Sequence, residues 1–335
     1  MSIRVRMNPE VEDALASRRP VVALETAAVT HGLPRVPLAV SVPYLADLEV
    51  PAAIRACFVG TSPGHRALGH ALAAAVRSEG AIPATVGMLR GELVIGLTDE
   101  ELDELAELRE VHKLAARDAA LIAYRGGSGG TTVAGTLLAC RLASPAPIRV
   151  FATGGIGGVH RGYAERPDIS ADLLAIRETP TLVVTAGAKS ILDLPATVEM
   201  LDTFGVPLVG LSTPFFPRFL SEGNADLRVN AQANDEADAA GLFRAHCAFH
   251  EARGMLLCVP PPAAYALPAE LMESAITQGL AECTRVGARG PEVTPVLLSA
   301  VARASGGASL ATNLAVLIHN ARVGARVAVH LARAT

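Results

Sequence analysis

A lysine closes one of the most apolar stretches of this chain. In "TLVVTAGAKSILDL", residues 181–194, a β-branched run ends at Thr185, and Lys189 follows in a turn of glycine, alanine and serine. An ammonium at the end of a buried strand must reach water or find a partner. Gly187, Ala188 and Ser190 are too small to shield it from a ligand. Desolvation would lower its pKa and free the amine to attack a carbonyl, the chemistry of Schiff-base lysines. The competing reading is a lysine that snorkels to solvent or is neutralised by Asp193. A second candidate, Glu25, follows "VVAL" and precedes "TAAVTHG". Partial burial would raise its pKa and suit it to proton donation. Alternatively it is a structural acid satisfied by backbone amides of the next turn.

The densest stretch is "ATGGIGGVHRGYAERPDISADL", residues 152–173. Its glycines leave backbone amides open to an anion, and His160 and Arg161 follow with positive or hydrogen-bonding capacity. The third glycine of a dinucleotide fingerprint is missing. Asp168 and Asp172 bracket Ser170, an arrangement that suits Mg²⁺ or Mn²⁺ held mostly through water, or simply a cap for the helix "ADLLAIRE". A second glycine-rich loop, "YRGGSGGTTVAGTL" at 124–137, lacks the lysine of a nucleotide-triphosphate loop and reads as a phosphate or ribose contact or as a tight turn. His246 and His250 have the spacing of two metal ligands but no third, which favours a solvated helix face.

These groups need strands and helices to hold them. "PVVALE" (20–25), "IRVFATGG" (148–155), "TLVVTAG" (181–187), "VPLVGLST" (206–213) and "MLLCVPP" (255–261) read as buried strands. Helical periodicity runs through "DEELDELAELREVHKLAARD" (99–118), "LMESAITQGLAECTRV" (271–286) and "NLAVLIHNARVGARVAVHLARA" (313–334). Strands alternating with helices imply a layered α/β domain with a largely parallel or mixed sheet. In such sheets ligands gather beyond the carboxyl ends of strands, where Glu25, the glycines after "VFAT" and Lys189 all fall. Residues 35–66 mix prolines, glycine and apolar residues without a period and read as a loop-rich excursion.

Composition narrows the classes. Of 335 residues half are hydrophobic and 19% charged, so a sizeable core is expected. A net charge of -4, 4% aromatics and no Trp argue against a nucleic-acid partner. Five scattered cysteines, none in a CxxC pair, read as reduced thiols of a cytoplasmic protein. No membrane span is expected, and Asn8-Pro9-Glu10 reads as a helix start rather than part of a leader.

Together these stretches resemble the pseudouridine-5'-phosphate glycosidases, also called indigoidine-synthase-A-like proteins, including their C-glycoside synthase relatives. The family's "ALEST…HGMP" is similar to "ALETAAVTHGLP", "GAVPAT" to "GAIPAT" (80–85), and its "ATGGIGGVHRG…DISADL" and "AGAKSILD" match residues 152–173 and 186–193. The resemblance implies a three-layer α/β/α single domain over residues 1–335 with an insertion at about 35–66, commonly a homotrimer. It implies cleavage, or in reverse formation, of a carbon–carbon bond between ribose 5-phosphate and an aglycone. Carried over by motif, Lys189 would form the adduct at C1′ and Glu25 would be the proton donor. Asp168 would be the Mn²⁺ (or Mg²⁺) ligand, and Lys113, Val133, Ser170, Ala171, Asp172 and His160 would contact substrate. Departures cluster elsewhere. "EST" becomes Glu25-Thr26-Ala27, the usual "ANPIP" reads "CVPPP" (258–262) with Val259 in place of an asparagine, and 212–227 differs from the usual run. That split suggests retained sugar chemistry with an aglycone other than uracil.

Overall fold

The computed structural model describes residues 4–33, 35, 50–58, 63–165, 167–287 and 293–333. Much of the 35–66 excursion therefore lies outside the described residues. The five apolar runs form strands β2 (Val21–Leu24), β7 (Val150–Ala152), β8 (Leu182–Thr185), β9 (Leu208–Leu211) and β11 (Met255–Cys258). Six more strands join them: β1 (Val5–Met7), β3 (Ile82–Leu89), β4 (Glu92–Ile95), β5 (His112–Leu114), β6 (Gly129–Thr131) and β10 (Ala231–Ala233).

Strands β3-β2-β7-β8-β11-β9-β10 lie side by side and every neighbouring pair among them is parallel. The long strand β3 belongs to two regions. Its first half pairs with β2, while Val86–Leu89 pairs antiparallel with β4, and Gly87 and Met88 pair antiparallel with β6. Strand β5 then extends this mixed wing by pairing parallel with β6.

Residues alternate between the faces of the sheet, and both faces are buried. Val21, Ala23, Phe151, Val183 and Leu256 enter one core, under the helices Pro9–Ala16, Val133–Leu142, Ala171–Glu178 and Ala269–Val286. Val22, Leu24, Val150, Val184 and Leu257 enter the other, under Gly64–Ser78, Glu236–Phe249 and Ala308–Arg333. Burial on both faces is why these strands read as continuous apolar runs rather than alternating ones. The helix Ala308–Arg333 seats closely because Gly324 lacks a side chain, and a Cβ there would sit 3.2 Å from that of Ala152. The result is the expected three-layer α/β/α arrangement.

The predicted helix over 99–118 needs correction. It is α-helical at Asp99–Glu107, started by a Thr98 capping box with Glu101, and resumes only as a short 3-10 turn at Ala116–Asp118. The backbone turns extended at Leu108, and His112–Leu114 is strand β5. Lys113 thus sits on a strand at the edge of the mixed wing. The start at Asn8 holds as read, its side chain accepting the Glu10 N–H at 2.9 Å.

Candidate active site

Because the central strands are parallel, their carboxyl ends open on one edge, and the chemistry collects there. Glu25 follows β2 directly. Thr153 occupies the equivalent place after β7, and its hydroxyl donates to Glu25 Oε1. The Glu25 residue is partly exposed, yet protein atoms crowd its carboxyl. That burial pushes its pKa above the usual carboxylate range, against the pull of Lys189 and of the Thr153 hydrogen bond. Asp172 adds to the rise and Lys113 opposes it. Lys113 is held below the ordinary lysine value, first by burial and then by the charge of Lys189, while Asp172 and Glu25 pull the other way. Glu25 and Lys113 therefore each lie within electrostatic reach of Lys189, of Asp172 and of one another.

Lys189 is half-buried in the turn after β8. The reading in which Asp193 neutralises it does not hold, because the Asp193 side chain caps the helix Leu194–Thr203 by accepting the Ala196 N–H at 3.0 Å. The Lys189 amide donates to the Ile156 carbonyl at 3.0 Å, which ties the turn to the glycine-rich stretch.

That stretch is built differently from an open anion cradle. Gly154, Gly155, Gly157 and Gly158 are each pressed against a neighbour. A Cβ on Gly155 would lie 2.6 Å from the Phe219 ring, one on Gly157 2.2 Å from Ser170 Oγ, and one on Gly158 2.4 Å from Thr197 Oγ1. Nor is the Gly157 amide free, since it donates to Asp172 Oδ2 at 2.9 Å. Asp172, only 6% exposed, spends its other oxygen on the Ala134 N–H at 3.0 Å. It thus fastens the glycine-rich stretch to the first turn of the helix that begins at Val133. Ser170 caps the helix Ala171–Glu178 by accepting the Asp172 N–H at 3.2 Å. Ala171 opens that helix and is exposed.

His160 and Asp168 face one another at the rim. The His160 amide donates to the Asp168 carbonyl at 3.0 Å, and Nδ1 stands 4.0 Å from Asp168 Oδ2. The Asp168 side chain is half exposed, and no cluster of three or more protein ligands occurs among the described residues. A single exposed carboxylate suits a hard cation that keeps most of its water, and not an all-protein cage. Asp172 is committed to backbone amides, which leaves Asp168 as the carboxylate of the two that is open to solvent.

The second glycine-rich loop supplies strand β6 and supports the site from below. Gly130 makes room for Thr30, whose Oγ1 would lie 2.1 Å from a Cβ. The buried Thr26 hydroxyl donates to the Val86 carbonyl at 2.7 Å and accepts the Thr131 N–H at 3.0 Å. Val259, expected on the aglycone side, is 1% exposed and belongs to the second core, so it offers no edge to an open cleft. A cleft of about 400 Å³ is lined by Arg161, Leu192, Arg218 and Glu273 and contains neither Glu25 nor Lys189; another of about 210 Å³ includes Lys113. The sequence did not single out Thr153 or Thr26. The one usable signal was position, since Thr153 stands level with Glu25 on the adjacent strand.

Comparison with known proteins is concordant. Residues 61–330 match the family described as indigoidine synthase A like protein. The chain is 44% identical to a pseudouridine-5'-phosphate glycosidase of Chloroflexus aurantiacus over 98% of both chains, and 43% identical to that of Herpetosiphon aurantiacus over 96% of both. Among solved structures it is similar to prealnumycin C-glycosynthase in complex with ribulose 5-phosphate, at 35% identity and a TM-score of 0.83 over 100% of this chain and 99% of that one. An indigoidine synthase A-like protein of Thermotoga maritima gives 29% identity and a TM-score of 0.78, covering 99% of this chain and 97% of that one.

Proposed function

The chain belongs to the indigoidine synthase A-like family, and on that premise we propose that it cleaves the carbon–carbon bond of pseudouridine 5′-phosphate, reversibly, through an adduct of Lys189 with C1′ of the sugar. It is an enzyme of the pseudouridine-5'-phosphate glycosidase type. The observation that carries the mechanism is the grouping in which Glu25 and Lys113 each lie within electrostatic reach of Lys189 and Asp172.

A carbon-linked base has no leaving-group oxygen to protonate, so a pair of carboxylates cannot do this work alone. Lys189 Nζ displaces the ring oxygen from C1′, and that oxygen takes a proton and leaves as the 4′-hydroxyl. The nitrogen lone pair then expels the base, breaking the C1′–carbon bond and forming a C1′=N iminium. The departing carbon keeps the electron pair and takes a proton. Glu25, its pKa raised by burial, is the donor to the departing carbon. The ring oxygen takes the proton that the attacking nitrogen loses, and the water that adds to the iminium returns a proton to Glu25. Water adds to the iminium, and ribose 5-phosphate leaves with Lys189 restored.

Lys113 supplies positive charge to the bound sugar phosphate, and Val133, His160, Ser170, Ala171 and Asp172 shape the same pocket. Asp168, beside His160, would hold Mn²⁺ or Mg²⁺ mostly through water, and such an ion when bound supplies further positive charge toward the anionic substrate. The reading extends to a homotrimer in the cytoplasm. Among the described residues no helix is long and apolar enough to cross a membrane.

A second reading draws on the full-length likeness to prealnumycin C-glycosynthase. In it the same residues join ribose 5-phosphate to a different aglycone. The core position of Val259 favours the glycosidase reading, because the lost asparagine no longer counts as a lost contact to the base. Uracil release from pseudouridine 5′-phosphate, measured by chromatography with Mn²⁺, separates the two. The glycosidase reading expects release that Lys189→Ala abolishes and that chelation suppresses until Mn²⁺ is restored. No release by the wild-type protein would overturn it in favour of the synthase.

A further inference from the structure

The turn that carries Lys189 is anchored on three sides, and one anchor leads out of the site. The first is backbone, with the Ile156 amide donating to the Gly187 carbonyl and the Lys189 amide to the Ile156 carbonyl, both at 3.0 Å. The second is the segment 216–219. The Phe219 amide donates to the Ala186 carbonyl at 2.8 Å, and Ser190 Oγ donates to the Arg218 carbonyl at 2.6 Å. Gly187 has a φ of +82°, and a Cβ there would lie 2.0 Å from the Pro217 carbonyl oxygen, so only glycine lets the two segments meet.

The third anchor is Arg161. Its Nε donates to the Leu192 carbonyl at 3.2 Å and one terminal nitrogen to the Ser190 carbonyl at 3.4 Å. The same guanidinium is gripped by both carboxylate oxygens of Glu273, at 2.9 and 3.1 Å, from the helix Ala269–Val286. The cleft of about 400 Å³ opens beside these groups, so the Arg161 hydrogen bonds reach the turn from its open side, while Ile191 and Leu192 pack into the core. A planar fork with five donors can serve two carbonyls and a carboxylate together, and a lysine ammonium cannot.

Taking Lys189 as the nucleophile, we propose that Arg161, held by Glu273, is a positioning residue that fixes the Lys189 turn so that Nζ meets C1′ in line. Its acceptors are two turn carbonyls and Glu273, and it contributes no group to the reacting atoms. A nucleophile displaced by about 1 Å loses about 100-fold in rate.

The test is reductive trapping of ribose 5-phosphate by cyanoborohydride, followed by mass spectrometry, on wild type, Arg161→Lys and Glu273→Ala. The clamp predicts that Arg161→Lys slows trapping at saturating sugar by about 10- to 100-fold, while the half-saturating concentration stays within about 2-fold. Glu273→Ala, at a half-exposed side chain, should remain folded and slow trapping several-fold in the same pattern, so it decides the matter if Arg161→Lys does not fold. Wild-type trapping rates in the folded variants, or a change confined to half-saturation, would overturn the clamp. Wild-type protein that traps nothing would instead overturn the nucleophile reading, and the clamp's role with it.

Discussion

The turn after β8 and the edge strand β5 each bring a lysine to the same site, by opposite means. Lys189 follows a strand buried on both faces, and its turn is bonded to Ile156, to the 216–219 segment and to Arg161. Lys113 sits on a three-residue strand paired on one side with β6, and the residue remains exposed overall although protein atoms crowd its ammonium. A group that must form a bond to one carbon needs a fixed backbone, whereas a group that only supplies charge needs reach. The two meet at Glu25, which lies within electrostatic reach of both, and Lys189 lowers the pKa of Lys113 while Asp172 and Glu25 raise it.

The sharpest way to test that division is to remove the acid that serves both lysines. Glu25→Gln should lower carbon–carbon cleavage by about 10²- to 10⁴-fold, while trapping of free ribose 5-phosphate survives. Loss of both together would place Glu25 in adduct formation rather than base departure. The same variant has a stability signature. A carboxyl whose pKa is raised on folding favours the folded state below its unfolded value and costs stability as pH rises through the folded value. Glu25→Gln should therefore melt higher than wild type at neutral pH, with the gap closing in acid. A gap independent of pH would contradict the raised pKa.

A smaller effect is expected from the exposed lysine. Lys113→Met should raise the half-saturating concentration of ribose 5-phosphate about tenfold, the scale of one lost charged contact, with the saturated trapping rate unchanged. A fall in the saturated rate instead would mean that Lys113 shares in the chemistry and that the contrast between the two settings is false.

The contrast also explains what was legible beforehand. The strands flanking the site were readable because burial on both faces leaves uninterrupted aliphatic runs, and Glu25 and Lys189 stood out as charges at their ends. The β5 wing was hidden. Glu104 to Arg117 keeps a helical rhythm, and only pairing with Gly129–Thr131 makes His112–Leu114 a strand. Composition marked the glycines of 152–158, but their purpose was packing under Phe219, Ser170 and Thr197 more than open amides. Asp172, read from sequence as a metal or substrate contact or part of a helix cap, is also a buried brace between the glycine-rich stretch and the helix that begins at Val133. The link from Arg161 to Glu273 spans 112 residues, and no local pattern announces it.

The claim at the centre is that one lysine, the anchored one, bonds to the sugar. Reduction of the protein with borohydride in the presence of ribose 5-phosphate, then peptide sequencing by tandem mass spectrometry, tests it directly. The account predicts a single reduced pentose phosphate adduct on Lys189. An adduct on Lys113, or none on either residue, would contradict it.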